Sequence, residues 1–271
     1  MHKLTGQARS DVGLKRTNNE DAYWIDNALG LFMVADGMGG AAGGEVASQL
    51  VVRTISDYIR HYIDQPLDHT GRYHFHAPEL TPRANTLMQG IHLANRLVHH
   101  TAKTNPEYHG MGSTLAVIMT DDPGLWLVNV GDSRILRMRD HQLKRLTVDH
   151  RVSDDPKLKG IINSEASIMS NLGTTLTRAM GIRDQVDPDV HQATIHDQDL
   201  FLICSDGLTD TVEEDQIERI LSLERSIDRR ARDLIDLALA NGGHDNVTVI
   251  LAEAHTRRKL KGLLSKWGKR R

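Results

Sequence analysis

The aspartates of this chain fall where its apolar runs stop, and that placement constrains the fold more than any other feature. Leu31 to Ala35 ends in Asp36-Gly37, Leu200 to Cys204 ends in Ser205-Asp206-Gly207, and Leu125 to Val130 ends in Gly131-Asp132. A fourth run, Val247 to Ala252, is preceded by Gly243-His244-Asp245-Asn246. Short apolar runs bounded by turn residues read as buried strands. If the strand ending at Cys204 runs antiparallel to the strand starting at Val247, Asp206 and Asp245 lie at one edge of a sheet. A single Asp-Gly is only a turn pair. Several carboxylates gathered at one edge are different, because they repel and hold protons unless a cation neutralises them. All these donors are oxygens, so hard divalent ions such as Mg2+ or Mn2+ are the expected partners.

Between the acids the pattern alternates in kind. Further strands are expected at Ala22 to Ile25, Ser113 to Met119, Arg134 to Arg139 and His191 to Thr194, and helices at Val46 to Tyr62, Pro82 to Thr104, Glu213 to Leu223 and Ile227 to Asn241. The three strands between 113 and 139 are separated by Asp122-Pro123-Gly124 and Gly131-Asp132, which predicts an antiparallel meander. Residues 64–82 and 148–173 are polar and read as irregular. Helices bracketed by hairpin-like strands point to α+β rather than to alternating βαβ units.

Charge and length exclude several classes. From Arg257 to Arg271 there are eight basic residues and no acid, leaving 25 basic against 36 acidic residues before them, a charge of −11. An acidic body does not suit nucleic-acid binding, which depends on Lys and Arg meeting phosphates. No apolar run approaches the roughly 20 residues that span a bilayer, and the N-terminal residues carry no secretory apolar core. One cysteine, Cys204, makes no intrachain disulfide, so the expected compartment is the cytoplasm. Leu260, Leu263, Leu264 and Trp267 recur at helical spacing among the basic residues of the tail. They suit weak contact with an anionic membrane surface or an acidic partner, against the plainer reading of a solvated terminus.

Seven blocks in order complete the pattern. They are Gly13-x-x-Arg16-x-x-Asn19-Glu20-Asp21, Val34-Ala35-Asp36-Gly37-Met38-Gly39-Gly40, Gly110-x-Gly112-Ser113-Thr114, Asn129-Val130-Gly131-Asp132-Ser133-Arg134, Leu176-Thr177-Arg178-Ala179-Met180-Gly181, Ser205-Asp206-Gly207-Leu208 and Gly243-His244-Asp245-Asn246-Val247-Thr248. With them the chain resembles the metal-dependent protein phosphatases of type 2C, the PPM family, and looks like a bacterial-type member over roughly residues 5 to 254. The resemblance implies a four-layer αββα sandwich of two antiparallel sheets flanked by helices, with residues 1–256 as catalytic domain and 257–271 as a basic tail. It implies two divalent cations, Mn2+ or Mg2+, bridged by Asp36. Asp206 and Asp245 would complete one site, and Glu20 with the Gly37 carbonyl the other. Asp132, with Asp206, resembles the site of a third, weaker cation. Arg16 would grip the substrate phosphate, and Asp21 and Asn246 would orient the ligands. The implied reaction is hydrolysis of phosphoserine and phosphothreonine in proteins by a metal-activated water, with no covalent intermediate. The implied partners are phosphoproteins, including a cognate serine/threonine kinase or its substrates.

Met38 stands where eukaryotic members of that family carry a histidine, and a thioether donates no proton. Rival readings meet specific obstacles. A cysteine phosphatase needs an Arg six positions after Cys204, where Asp210 stands. The Asp187-Pro188-Asp189-Val190 segment mimics an aspartyl-phosphate motif, but no buried strand precedes it. Gly37-Met38-Gly39-Gly40-Ala41-Ala42 mimics a dinucleotide loop, yet Asp36 would repel the pyrophosphate and βαβ alternation is lacking. A catalytically silent phosphoprotein-binding pseudophosphatase is the alternative of a different class, and such proteins lose the acids that this chain keeps. His74-Phe75-His76 with nearby His69 is a weak candidate metal site.

Overall fold

The computed structural model describes residues 2–65, 75–155 and 175–256. Two antiparallel sheets lie face to face. The first takes β1 (His2–Asp11), β7 (Arg134–Arg139), β8 (Gln142–Arg145), β10 (Leu200–Cys204) and β11 (Val247–Thr256), in the order β1-β11-β10-β7-β8. The second takes β2 (Asp21–Asp26), β3 (Leu31–Met38), β5 (Leu115–Asp121), β6 (Gly124–Val130) and β9 (Asp189–Thr194), in the order β2-β3-β5-β6-β9, with β4 (Gly112–Ser113) paired to β3. Helices α1 (Gly40–Tyr62) and α2 (Pro82–Thr104) cover the second sheet. The turn α3 (Asp206–Thr209) and helices α4 (Glu214–Leu221) and α5 (Ile227–Ala240) cover the first.

Strand periodicity explains why the apolar runs are unbroken. Successive side chains point to opposite faces of a sheet. Leu31, Met33 and Ala35 of β3 pack under α1 and α2, while Phe32 and Val34 enter the core between the sheets. In β10, Leu200, Leu202 and Cys204 face α4 and α5, while Phe201 and Ile203 meet Phe32 and Val34 in that central core. A strand buried on both faces must be apolar at every position. Each fully buried Leu, Ile or Phe contributes roughly 1.5–3 kcal/mol, so the central layer is a main source of stability. The expected αββα sandwich is the observed one.

Three sequence expectations are corrected. The segment 113–139 is not one meander: β5 and β6 form a hairpin, but β7 belongs to the other sheet. Gly131, at φ 96°, makes the crossing, and a Cβ there would stand 2.7 Å from the Thr114 methyl. Strands β1 and β8 were not expected. β1 is the edge strand paired along its length with β11, and its inward residues Leu4, Gly6 and Ala8 are too few and too small to read as an apolar run. Helix α1 also begins earlier than expected, at Gly40. The other helices lie within about two residues of their expected bounds, and α2 matches its own. The dinucleotide reading fails here, because β3 and its neighbours are antiparallel. Residues 156–174, 257–271, His69 and His74 lie outside the described residues, so the tail helix, most of the 148–173 segment and the histidine site cannot be placed. Among the described residues, no helix is long and apolar enough to cross a membrane.

Candidate active site

The expectation that Asp206 and Asp245 share an edge holds, because β10 and β11 pair antiparallel with Cys204 opposite Val249. The second sheet brings its own acids to the same end. Asp21 at the start of β2 pairs directly with Asp36 near the end of β3. Asp132 follows β6 across the Gly131 turn. Arg16, Glu20, Asp36, Asp132, Asp206 and Asp245 all line one cavity of about 1030 Å³, together with Gly37 and Asn246. Every candidate site residue named from the sequence, except Asp21, lines it, and Asp21 is half-buried directly across the strand pair from Asp36.

The scaffold is held by hydrogen bonds from small polar side chains. The Asp36 N–H donates to Thr114 Oγ1 (2.9 Å), the Thr114 N–H donates to the Asp36 carbonyl (2.8 Å), and the Thr114 and Ser133 hydroxyls are 2.6 Å apart. Asn246 accepts from the Glu20 N–H at Oδ1 (2.7 Å) and donates from Nδ2 to the carbonyls of Val12 and Asn18 (2.9 Å each). One amide thus fixes the loop that carries Arg16 and Glu20. Ser205 donates to Asp21 Oδ2 (2.8 Å) and accepts from the Thr248 N–H (3.0 Å), tying the two sheets at the level of the acids. Gly37 and Gly44 approach so closely that a Cβ on Gly44 would stand 2.3 Å from Glu20 Oε2. That approach seats the Glu20 carboxylate beside Gly37.

The electrostatics are those of acids crowded without enough positive charge. Burial, then repulsion from Asp21, Asp206, Asp132 and Asp245, holds the Asp36 carboxyl well above the usual range. Burial and the charges of Asp132 and Asp210 push Asp206 up to about 7. Burial raises Asp21 to about 6 against the opposing Ser205 hydrogen bond. Burial likewise raises Glu20 and Asp132, each partly offset by an arginine. The outer acids close onto guanidinium groups: Arg16 Nη2 donates to Asp245 Oδ2 (2.8 Å), and Arg151 to Asp132, Asp206 and Asp210. Accordingly, among the described residues no three acids or histidines converge on a single point as a formed metal cluster.

Arg151 and Asp210 are the site residues that sequence reasoning missed. Arg151 sits in a polar stretch with no local signal, and only its place after Asp149-His150 on the chain leaving β8 could have marked it. Cys204 lies on β10, fully buried, and burial pushes its thiol up to about 12.

The chain matches the family model described as protein phosphatase 2C over residues 17–247. It is 32% identical over 254 residues to the serine/threonine phosphatase stp of Listeria monocytogenes, covering 92% of this chain and 96% of that one. The crystal structure of the Mycobacterium tuberculosis serine/threonine phosphatase PstP/Ppp superposes with a TM-score of 0.77 at 33% identity, covering 94% of this chain and all of that one. A crystal structure of the PstP catalytic domain in complex with two manganese ions gives a TM-score of 0.76 at 32% identity, with the same coverage.

Proposed function

Because the chain belongs to the protein phosphatase 2C family and is a serine/threonine phosphatase of that family, we propose that its acid edge is a two-metal centre hydrolysing phosphoserine and phosphothreonine in proteins. The observation that carries this reading is Asp36, half-buried on the cavity wall with four other carboxylates raising its pKa. Such a cluster is stable as anions only around a cation. The donor set fits a hard divalent ion: it is all oxygen, and the Gly37–Gly44 approach leaves the Glu20 carboxylate a seat that a side chain would fill. Asp36 would bridge two ions, Asp206 and Asp245 would complete one site, and Glu20 with the Gly37 carbonyl the other. Bound there, such ions bring the pKa of coordinated water toward 7 and neutralise phosphate charge.

The chain's own residues supply the rest. Asp21 and Asn246 hold the ligand-bearing strands in register. Arg16, whose side chain is 54% exposed, is placed to leave Asp245 and take two phosphate oxygens with its planar fork. Stabilising charge on those oxygens is the main task in phosphoryl transfer. Cys204 is no nucleophile here: it is buried with its thiol held protonated, which supports direct attack by water. Met38 lines the cavity and offers no proton to the leaving group. Residues 1–256 would form the catalytic unit and 257–271 a basic tail, and the substrates would include proteins phosphorylated by a cognate serine/threonine kinase.

Phosphate release from a phosphothreonine peptide tests the reading. Turnover should require Mn2+ or Mg2+, stop with EDTA, and fall on the order of 10²–10³-fold in Asp206→Asn. Turnover that persists in EDTA would contradict the two-metal centre. A folded protein inactive with every divalent ion would point instead to a phosphoprotein-binding module.

A further inference from the structure

Asp132, Asp206 and Asp210 all meet one guanidinium. Arg151 Nε donates to Asp132 Oδ2 (2.6 Å), and its Nη2 donates to Asp206 Oδ2 (3.0 Å) and Asp210 Oδ2 (3.0 Å). Nη1 donates to Asp210 Oδ1 (3.2 Å), so Asp210 is held by both its oxygens. The side chains of Arg151 and Asp132 are 11% and 7% exposed. The backbone carrying Arg151 is fixed on both sides. Arg151 bridges to Leu176, the Val152 N–H donates to the Thr175 carbonyl (2.9 Å), and the His150 N–H donates to the Gly131 carbonyl (2.9 Å). The Gly131 N–H in turn donates to His150 Nδ1 (3.1 Å). The guanidinium is therefore built into the acid edge, not folded onto it from the surface.

This arrangement does not fit the third, weaker cation that the family resemblance attaches to Asp132 and Asp206. An ion within reach of both Oδ2 atoms would have to displace a charged group already bonded to each. It would also break the two contacts by which Arg151 holds Asp210. We propose that Arg151 is a resident cation of the catalytic edge: it takes the place of a third divalent ion, positions Asp132 and Asp206, and leaves this enzyme two exchangeable metals. The inference rests on the two-metal reading above. A guanidinium keeps its proton throughout the physiological range and cannot be diluted away, so the charge at this position does not depend on metal supply. Arg151 acts through the acids it holds and is a positioning residue.

Counting bound Mn2+ by equilibrium dialysis into the millimolar range tests this without reference to turnover. The wild type should saturate at two ions per chain, and Asp132→Asn should also bind two. Arg151→Ala should gain a third, weak ion, and the double variant Arg151→Ala/Asp132→Asn should lose it again. A third ion on the wild type that Asp132→Asn removes would overturn the proposal, as would a folded Arg151→Ala that stays at two. If Arg151→Ala does not fold, the wild type and Asp132→Asn alone decide the matter. A wild type that binds no Mn2+ overturns the two-metal reading itself, and this inference falls with it.

Discussion

At the scale of the residue, the site depends on small side chains as much as on acids. Gly44 lies in the first turns of α1, where alanine would ordinarily gain about 0.5–1 kcal/mol over glycine. Here the added Cβ would stand 2.3 Å from Glu20 Oε2 and 2.9 Å from the Gly37 carbonyl carbon. The overpacking cost, about 1–3 kcal/mol, exceeds the helix gain, and the Glu20 carboxylate must move. Gly44→Ala should weaken Mn2+ binding about 10- to 100-fold, in the range seen when groups supporting metal ligands are altered. Isothermal titration checks it, and unchanged affinity would remove Glu20 and Gly37 from the metal site. Asp36, Asp132 and Asp206 were legible in the sequence because each follows an apolar run, and Asp245 because it precedes one, whereas Glu20 was marked by the family resemblance. Arg151 was not legible: its role comes from three aspartates distant in sequence, which only the folded edge brings together.

At the scale of the element, helix α2 does more than cover a sheet. Its buried Asn95 accepts from the Gly181 N–H (2.7 Å) and donates to the carbonyls of Arg183 (3.0 Å) and Asp184 (3.1 Å). The loop so held places Ile182 and Arg183 on the wall of the acid-lined cavity. Asn95→Ala leaves three backbone groups unpaired, costing about 1–3 kcal/mol for those that stay buried. The loosened wall should raise KM for phosphopeptides several-fold with kcat little changed, which steady-state kinetics would show. A loss confined to kcat would place the loop in the chemistry instead. Most elements were legible as apolar runs or helical periodicity. The crossing at Gly131 was not, because two strands joined by a tight turn look the same whether they share a sheet or change sheets. β1 was missed because its inward face, Leu4-Gly6-Ala8, packs under bulky partners such as Phe32 with little apolar mass of its own.

At the scale of the whole molecule, the two sheets are bound by a central apolar layer and opposed by the acids at one end. Metal-free, Asp206 and Asp21 are raised to about 7 and about 6 against about 3.9 when unfolded. A carboxyl whose folded pKa is raised binds its proton more tightly when folded. These groups therefore remove stability as pH climbs from about 4 to about 7. A divalent ion cancels that loss, and its own binding strengthens as the carboxylates ionise. His92, pushed down by burial, adds a slope of opposite sign common to both forms. The readout is thus the difference in Tm between Mn2+ and EDTA, which should widen from pH 5.5 to pH 7.5. A difference independent of pH would separate metal binding from these acids. The central claim is that Asp36 bridges two ions at the edge the sheets share, and anomalous scattering from a Mn2+-soaked crystal tests it most directly. Two manganese peaks about 3.5–4 Å apart, both within bonding distance of Asp36, are the predicted result. A single peak, or peaks that leave Asp36 untouched, would contradict it.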